Sequence, residues 1–261
     1  MHRYLRIYGR FLQSSLQREL EFRANFVAKI LQNMIWFVFF LVVLLVVYSN
    51  TTSVAGWNRG EAFVLAACAT LIQSVFQFFC FSLTQIPENV RKGTLDFIVT
   101  KPIDSQFWVS MRQVNFNELG SIGASIGLII YGVISGKSHP NLWNFVSFFA
   151  LLMAGITIIY SFMLLLMTLG IWLVRVDNLW VLGDTLMQVA RYPTDIYSAM
   201  IQRFFLFAIP VVFLATMPAR ALVKGVDGAA FALGLVWAGV LFFAARGFWN
   251  YAMRSYSSAS S

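Results

Sequence analysis

The sequence has few charged residues, and this shortage excludes a large class of proteins. Charged side chains make up 11% of the 261 residues, against about 25% in typical soluble domains. Apolar residues make up 59%, which is more than a water-soluble chain of this size can bury. The two values exclude a soluble globular domain and predict an integral membrane protein with one membrane domain.

Cysteine and histidine are also scarce. Cys68 and Cys80 lie in one apolar segment, which predicts buried free thiols and no disulfide framework. His2 and His139 are far apart, and no Cys, His and carboxylate cluster has the spacing of metal ligands. We therefore expect no catalytic residue, no cofactor and no metal on this chain. A membrane enzyme is disfavoured because its site needs clustered polar groups.

The charge that is present is mainly basic, with a net charge of +8. In a membrane protein this predicts Lys and Arg in cytoplasmic loops that face anionic lipid, and not a nucleic-acid site. Residues 1–29 have no signal-peptide pattern. Polar and apolar side chains there recur at helical spacing, which predicts a cytoplasmic amphipathic helix in the membrane interface. Its polar face carries Arg3, Arg6, Arg10, Gln13 and Gln17, and its apolar face carries Leu5, Tyr8, Leu12 and Leu16.

Long apolar segments follow, and a helix needs about 20 apolar residues to cross the hydrocarbon core. We expect a transmembrane domain over 30–250 and a short cytoplasmic tail over 251–261. Small residues predict close helix packing in two of the segments, at Gly123 to Gly127 and along Ala230, Gly234 and Ala238. Five candidate crossings are 30–48, 62–86, 119–135, 145–174 and 231–249.

A further crossing must lie between 175 and 228, and two interpretations stay open. The apolar run 204–217 is interrupted by Pro210, so it would be a kinked crossing. Alternatively 178–190 crosses the membrane and 193–219 forms a re-entrant hairpin on the outer side. We favour the hairpin because the apolar run is short for a crossing. Both interpretations give an all-α, polytopic fold with six crossings and place both termini in the cytoplasm.

One cytoplasmic stretch, 88–108, mixes charges with apolar residues between two apolar spans. Gly93 and Pro102 punctuate it, and Thr94 is placed to cap a short helix. Such a mixture is typical of an element that docks on another protein. An interfacial helix that lies on lipid is the alternative. The Gly-Lys-Ser at 136–138 lacks the rest of a phosphate-binding loop, so we do not expect this chain to bind ATP.

Polar side chains also occur on one face of the second span. Gln73 and Gln77, with Thr70 and Thr84, are candidates to line a translocation path. The alternative is ordinary hydrogen bonding between helices, worth about 1 kcal/mol each. Ionisable residues are nearly absent from the expected mid-membrane positions, which counts against ion coupling.

Residues 88–112, ENVRKGTLDFIVTKPIDSQFWVSMR, resemble the characteristic cytoplasmic loop of bacterial permease subunits of ATP-binding-cassette (ABC) type-2 exporters. The six-span branch of similar length is the most alike. A second resemblance covers 190–197 and 208–222, although Ser198 stands where the family often has proline. The loop pattern falls on Glu88, Arg91, Lys92, Gly93, Thr94, Leu95, Asp96, Lys101 and Pro102.

The resemblance implies a role for the loop and a set of partners. The loop would be a coupling helix seated in a groove of a separate ABC ATPase, present in two copies that carry ATP and Mg. A second permease chain, identical or homologous, would complete a unit in the bacterial inner membrane that exports its substrate. The alternative function, from a different class of membrane protein, is an ion-coupled transporter or channel that works without an ATPase.

Overall fold

A computed structural model describes residues 2–173, 179–207 and 209–256. The described chain is helical except for a small antiparallel pair of strands, β1 (Ser53–Val54) and β2 (Trp57–Asn58). The helices are α1 (His2–Glu21), α2 (Arg23–Asn50), α3 (Arg59–Cys80), α4 (Ile86–Arg91), α5 (Asp96–Val99), α6 (Ser105–Met111), α7 (Leu119–Ser135), α8 (Leu142–Leu169), α9 (Leu179–Ala190), α10 (Ala199–Phe207), α11 (Thr216–Val223) and α12 (Gly228–Ser255).

The described residues contain five helices long and apolar enough to cross a membrane. They coincide with the five predicted candidates, and the all-α polytopic membrane fold is confirmed. The amphipathic helix α1 ends at Glu21, and the basic residues Arg23 and Lys29 belong to α2. Long basic side chains can extend from a helix end to the lipid headgroups. The positions of Arg23 and Lys29 therefore did not show where the first long helix begins.

The N-terminal end of α3 packs against the C-terminal end of α7 with almost no space between the backbones. A Cβ atom on Gly60 would lie 2.4 Å from the Gly136 nitrogen, and one on Gly132 would lie 2.7 Å from the Gly60 oxygen. The close approach predicted at Gly123 and Gly127 is wrong, because no described atom lies within 4 Å of a Cβ there.

Helix α8 packs between α12 and the segment that precedes it. A Cβ on Gly234 would lie 2.7 Å from Leu151 Cδ2, which confirms the close packing predicted along that face of α12. One turn further along the same face of α8, a Cβ on Gly155 would lie 2.7 Å from the oxygen of Phe213. The apolar turn Val211–Leu214 is therefore buried in the bundle.

The region between α9 and α12 is made of short elements. The run 204–217 is divided between α10, the turn Val211–Leu214 and α11 and does not form one continuous helix. Pro210 explains the break, because proline cannot continue a helix. Residues 174–178 and 208 lie outside the described residues, and the six-crossing count and the re-entrant hairpin stay predictions.

Ion pairs attach this region to the beginning of α3. Asp195 accepts a 2.8 Å hydrogen bond from Trp57 Nε1 and two of 2.7 Å from Arg220. Burial acts to raise the pKa of Asp195, but the bonds from Arg220 and Trp57 hold it below its usual value. Lys224 lies 3.4 Å from Glu61, which is in the capping box of α3. These contacts place the region at the same end of the bundle as the N-terminus of α3.

Candidate functional site

Between the second and third long helices the chain forms α4, α5 and α6, which we call the loop helices. Gly93 joins α4 to α5 with φ at 68°, in the left-handed region that favours glycine. Thr94 Oγ1 lies 3.0 Å from Asn89 Oδ1 and 3.3 Å from the Asn89 carbonyl oxygen. Thr94 therefore fastens the turn back to α4. It does not cap α5, which was its predicted role.

The apolar residues of α5 meet two different environments. Leu95 is 0% exposed and Ile98 is 4% exposed, and both belong to the buried core. Phe97 is 70% exposed. Leu95, which the resemblance assigned to the coupling loop, therefore packs into the chain itself and does not lie on an exposed docking face. Among the apolar side chains described in and beside α5, that of Phe97 is the one that a partner can reach.

The charged residues of the predicted coupling loop also differ in their exposure and contacts. Glu88, Arg91 and Lys92 are exposed on α4. Lys92 Nζ lies 2.5 Å from Glu88 Oε1, and this bond lowers the pKa of Glu88. Asp96 lies beside Tyr256, since burial and the Asp96 carboxyl raise the pKa of that phenol to about 12.

Lys101 faces inward instead. Its ammonium lies 3.6 Å from the centre of the Trp108 ring, a cation–π geometry. Burial, followed by the nearby Arg112, lowers the pKa of Lys101. Lys101 thus holds the segment between α5 and α6 against α6. The exposed charges that a partner would meet are those of α4.

Helix α1 holds the loop helices from one side. The Arg3 guanidinium donates to the carbonyl oxygen of Pro102 at 2.8 Å. Tyr4 packs edge-on against Phe107 with ring centres 5.0 Å apart, and its hydroxyl accepts a 3.3 Å bond from the Asp104 amide. The interfacial helix predicted from charge is therefore also a structural part of the loop.

A second set of contacts continues this clamp toward the membrane. Phe11 meets Trp108 edge-on at 5.0 Å, and the Val114 amide donates to Ser15 Oγ at 3.1 Å. Sequence reasoning missed this role of α1. The signal available was the aromatic character of its apolar face, where Tyr4, Tyr8 and Phe11 recur at helical spacing.

Helix α12 holds the loop helices from the other side. Arg246 donates to both carboxylate oxygens of Asp104 and, at 2.7 Å, to Gln106 Oε1. Asp104 also caps α6 by accepting from the Phe107 amide at 2.9 Å. The Arg246 bond, and then the Phe107 bond, outweigh burial and lower the pKa of Asp104. The distance in sequence, 142 residues, hid this pair from sequence reasoning.

Gln73 and Gln77 line a polar cavity of about 820 Å³ between α2, α3 and α9. Gln73 donates to Asp184 Oδ1 at 3.1 Å and accepts from Arg191 at 2.9 Å. Asp184 also accepts from Gln188 at 3.0 Å. Asp184 in the middle of α9 and Arg191 just after its last residue thus bring an acid and a base against α3, a juxtaposition that the sequence did not reveal.

Thr70 lies in the same wall as the two glutamines, but Thr84 does not line the cavity. Thr84 turns back to the carbonyl oxygen of Phe81 at 2.8 Å. On the opposite wall, Glu118 lies 3.4 Å from the side-chain amide of Asn33. Amide, hydroxyl, carboxylate and guanidinium groups thus converge within an otherwise apolar bundle.

Long apolar helices, a polar cavity between them and a rigidly held loop at one end define a multi-pass membrane transport protein. The family model described as ABC-2 family transporter protein matches residues 34–260. The chain therefore belongs to this family of ABC transporter permeases, and the resemblance drawn from the loop is confirmed. No curated protein and no solved structure was found to match it.

Proposed function

We propose that this chain is the membrane-spanning permease subunit of an ATP-driven exporter. ATP and Mg bind to two copies of a separate ABC ATPase, and a second permease chain, identical or homologous, completes the unit. The chain lies in the bacterial inner membrane with both termini in the cytoplasm. Family membership supports the general need for an ABC ATPase partner.

The observation that carries the proposal is the construction of the loop helices. The side of the loop helices that faces the bundle is fixed by the burial of Leu95, by α1 and by the Arg246–Asp104 pair. Their opposite, exposed surface carries Phe97 and the exposed charged residues of α4. An exposed aromatic group with neighbouring charges fits a partner's pocket and rim. A loop fixed at several points transmits a push to α3, α8 and α12.

The polar cavity supports a translocation path along Gln73 and Gln77. In a membrane, polar walls are typical of a water-filled space. Val75 lies on the other side of α3 and provides a matched control. We expect Gln77→Cys to react at least ten times faster than Val75→Cys with a small charged thiol reagent. Equal rates would contradict a hydrated path.

Contacts at the two ends of the bundle support six crossings. Asp195 contacts Trp57, just before α3, and Lys224 contacts Glu61 at the end of α3 that Gly136 also approaches. We infer that helix α9 leads from the end near Leu169 to the end near Asp195. A short crossing by α9, followed by a hairpin on the outer side, satisfies these contacts.

The proposal is tested by co-expressing the chain with each candidate ABC ATPase from the same genome. We expect the two to purify together, and ATP hydrolysis in proteoliposomes to need both. Phe97→Asp should lower the retained ATPase at least tenfold. Leu142→Asp, on an apolar residue that is 80% exposed at the opposite end of the bundle, is the matched control and should retain it. Full retention by Phe97→Asp would contradict docking at this surface.

The second candidate is an ion-coupled transporter without an ATPase. Asp184 and Glu118 in the cavity wall favour it, because ion coupling needs a group that binds the ion. The two candidates differ in their energy source. Transport that persists without ATP and stops when an uncoupler dissipates the proton gradient would favour ion coupling.

A further inference from the structure

A second cavity, of about 500 Å³, lies on the opposite face of α3. Val75 and Phe79 line it, whereas Gln73 and Gln77 line the polar cavity. Successive residues of an α-helix are about 100° apart, so two side chains that are two positions apart point to nearly opposite sides of the helix. The two cavities share no lining residue, so this second space is separate from the proposed path.

The walls of the second cavity are apolar and open to the side of the bundle. Phe79 on α3 and Phe242 on α12 are each 39% exposed, and Phe243 is 74% exposed. Ile156 of α8 completes the apolar wall. A lateral opening among exposed aromatic residues of membrane-spanning helices faces hydrocarbon. Acyl chains are therefore the material in contact with it.

The polar groups of this cavity lie at one end, beside α6. Gln106 Nε2 donates to Tyr160 Oη at 2.9 Å, and Ser110 Oγ lies 2.9 Å from the same hydroxyl. Arg246 and Asp104 form the rim. Apolar walls with one polar end match an amphipathic molecule whose headgroup points to the loop helices.

The rim is basic. Asp104 balances Arg246, but a second guanidinium, that of Arg3, reaches the carbonyl oxygen of Pro102 two residues away. Arg6 and Arg10 follow on the polar face of α1. A basic amphipathic helix at the membrane surface attracts acidic headgroups. The charge at this end of the cavity is therefore complementary to a phosphate.

We propose that an acidic phospholipid occupies this cavity, with an acyl chain between α3, α8 and α12 and its phosphate at the rim near Arg3 and Arg246. Phe107, Ser110 and Met111 of α6 form one wall, so the lipid supports the loop helices directly. Lipid composition then regulates coupling, and this consequence alone rests on the proposed function.

Lipid binding can be measured on the purified chain by native mass spectrometry in an equal mixture of phosphatidylglycerol and phosphatidylcholine. We expect phosphatidylglycerol to be retained at least five times more often. Thr157→Trp places a large ring in the cavity and should lower the retained lipid at least tenfold. Val240→Trp, at a site on α12 that is 54% exposed and does not line the cavity, is the matched control.

Arg3→Gln tests the headgroup without filling the cavity. It should bring the ratio of the two lipids close to one while the total stays unchanged. Equal retention of the two lipids by the unmodified chain overturns the acidic headgroup, and unchanged retention by Thr157→Trp overturns the cavity. Either result, with the ATPase still purifying with the chain, leaves the proposed function intact. Retained lipid without a bound ATPase contradicts the proposed function instead.

Discussion

Leu95 and Phe97 are two residues apart and meet opposite surroundings, one buried and one 70% exposed. Truncating a buried leucine removes apolar contacts and leaves a cavity, at a cost of about 2–5 kcal/mol. We expect Leu95→Ala to lower the free energy of unfolding by such an amount. Phe97→Ala should change it by less than about 0.5 kcal/mol, as exposed sites do.

Unfolding of both variants in the same detergent measures the difference. An unchanged midpoint for Leu95→Ala would show that the loop helices are not packed as the structure has them. A large loss for Phe97→Ala would place that ring in the core. The pair also separates stability from docking, because the Phe97 variant should fold normally and still bind the ATPase weakly.

Single residues also show where the sequence stops being informative. Gly93 could be predicted as a turn residue, because glycine is favoured at positive φ. The burial of Leu95 could not, because its surroundings come from distant parts of the chain. The mixture of charged and apolar residues, and then the family resemblance, singled out this loop, but neither says which side of a short helix faces inward.

At the scale of elements, α6 is held in place by α12. The Arg246–Asp104 pair can be tested by a double-mutant cycle with Asp104→Asn and Arg246→Gln. Asparagine caps a helix about as well as aspartate, so the first change removes the ion pair and keeps the cap. We expect the two losses of unfolding free energy to be non-additive by about 1 kcal/mol, as for a partly solvated, charge-assisted pair.

The same pair has a defined pH dependence. Asp104 has its pKa lowered in the folded protein, chiefly by Arg246. Its contribution is therefore complete above the ordinary value of 3.8 and is lost as the pH falls through the lower folded value. Strict additivity in the cycle at neutral pH would show that the two side chains do not interact.

Element length explains what could be predicted at this scale. Helix α7 was predicted to end at Ser135, as observed, because its 17 residues are predominantly apolar and carry no charge. Helices α4, α5 and α6 have six, four and seven residues, too few to show a hydrophobic period. Their contacts with α1 and α12 connect residues about a hundred or more positions apart and leave no local pattern.

For the whole molecule, the thickness of the bilayer made most of the fold predictable from the sequence. Five long apolar segments follow from the need to cross about 30 Å of hydrocarbon. The sixth crossing was ambiguous because α9 has 12 described residues and carries Asp184. The polar residues of α9 that line the cavity make this helix less apolar. The features that suggest a translocation path therefore also make the sixth crossing harder to predict.

The topology of the molecule gives the last prediction. Single cysteines at His139 and Ser198 should react in intact cells with a maleimide that cannot cross the membrane. Lys92→Cys, on exposed α4, should react only after permeabilisation. The background should be low, because the native thiols, Cys68 and Cys80, are buried. If α9 did not cross, Ser198→Cys would be protected like Lys92→Cys while His139→Cys still reacted. That result would contradict the six-crossing topology and the hairpin together, because one connection, α9, determines the side on which both the hairpin and the C-terminus lie.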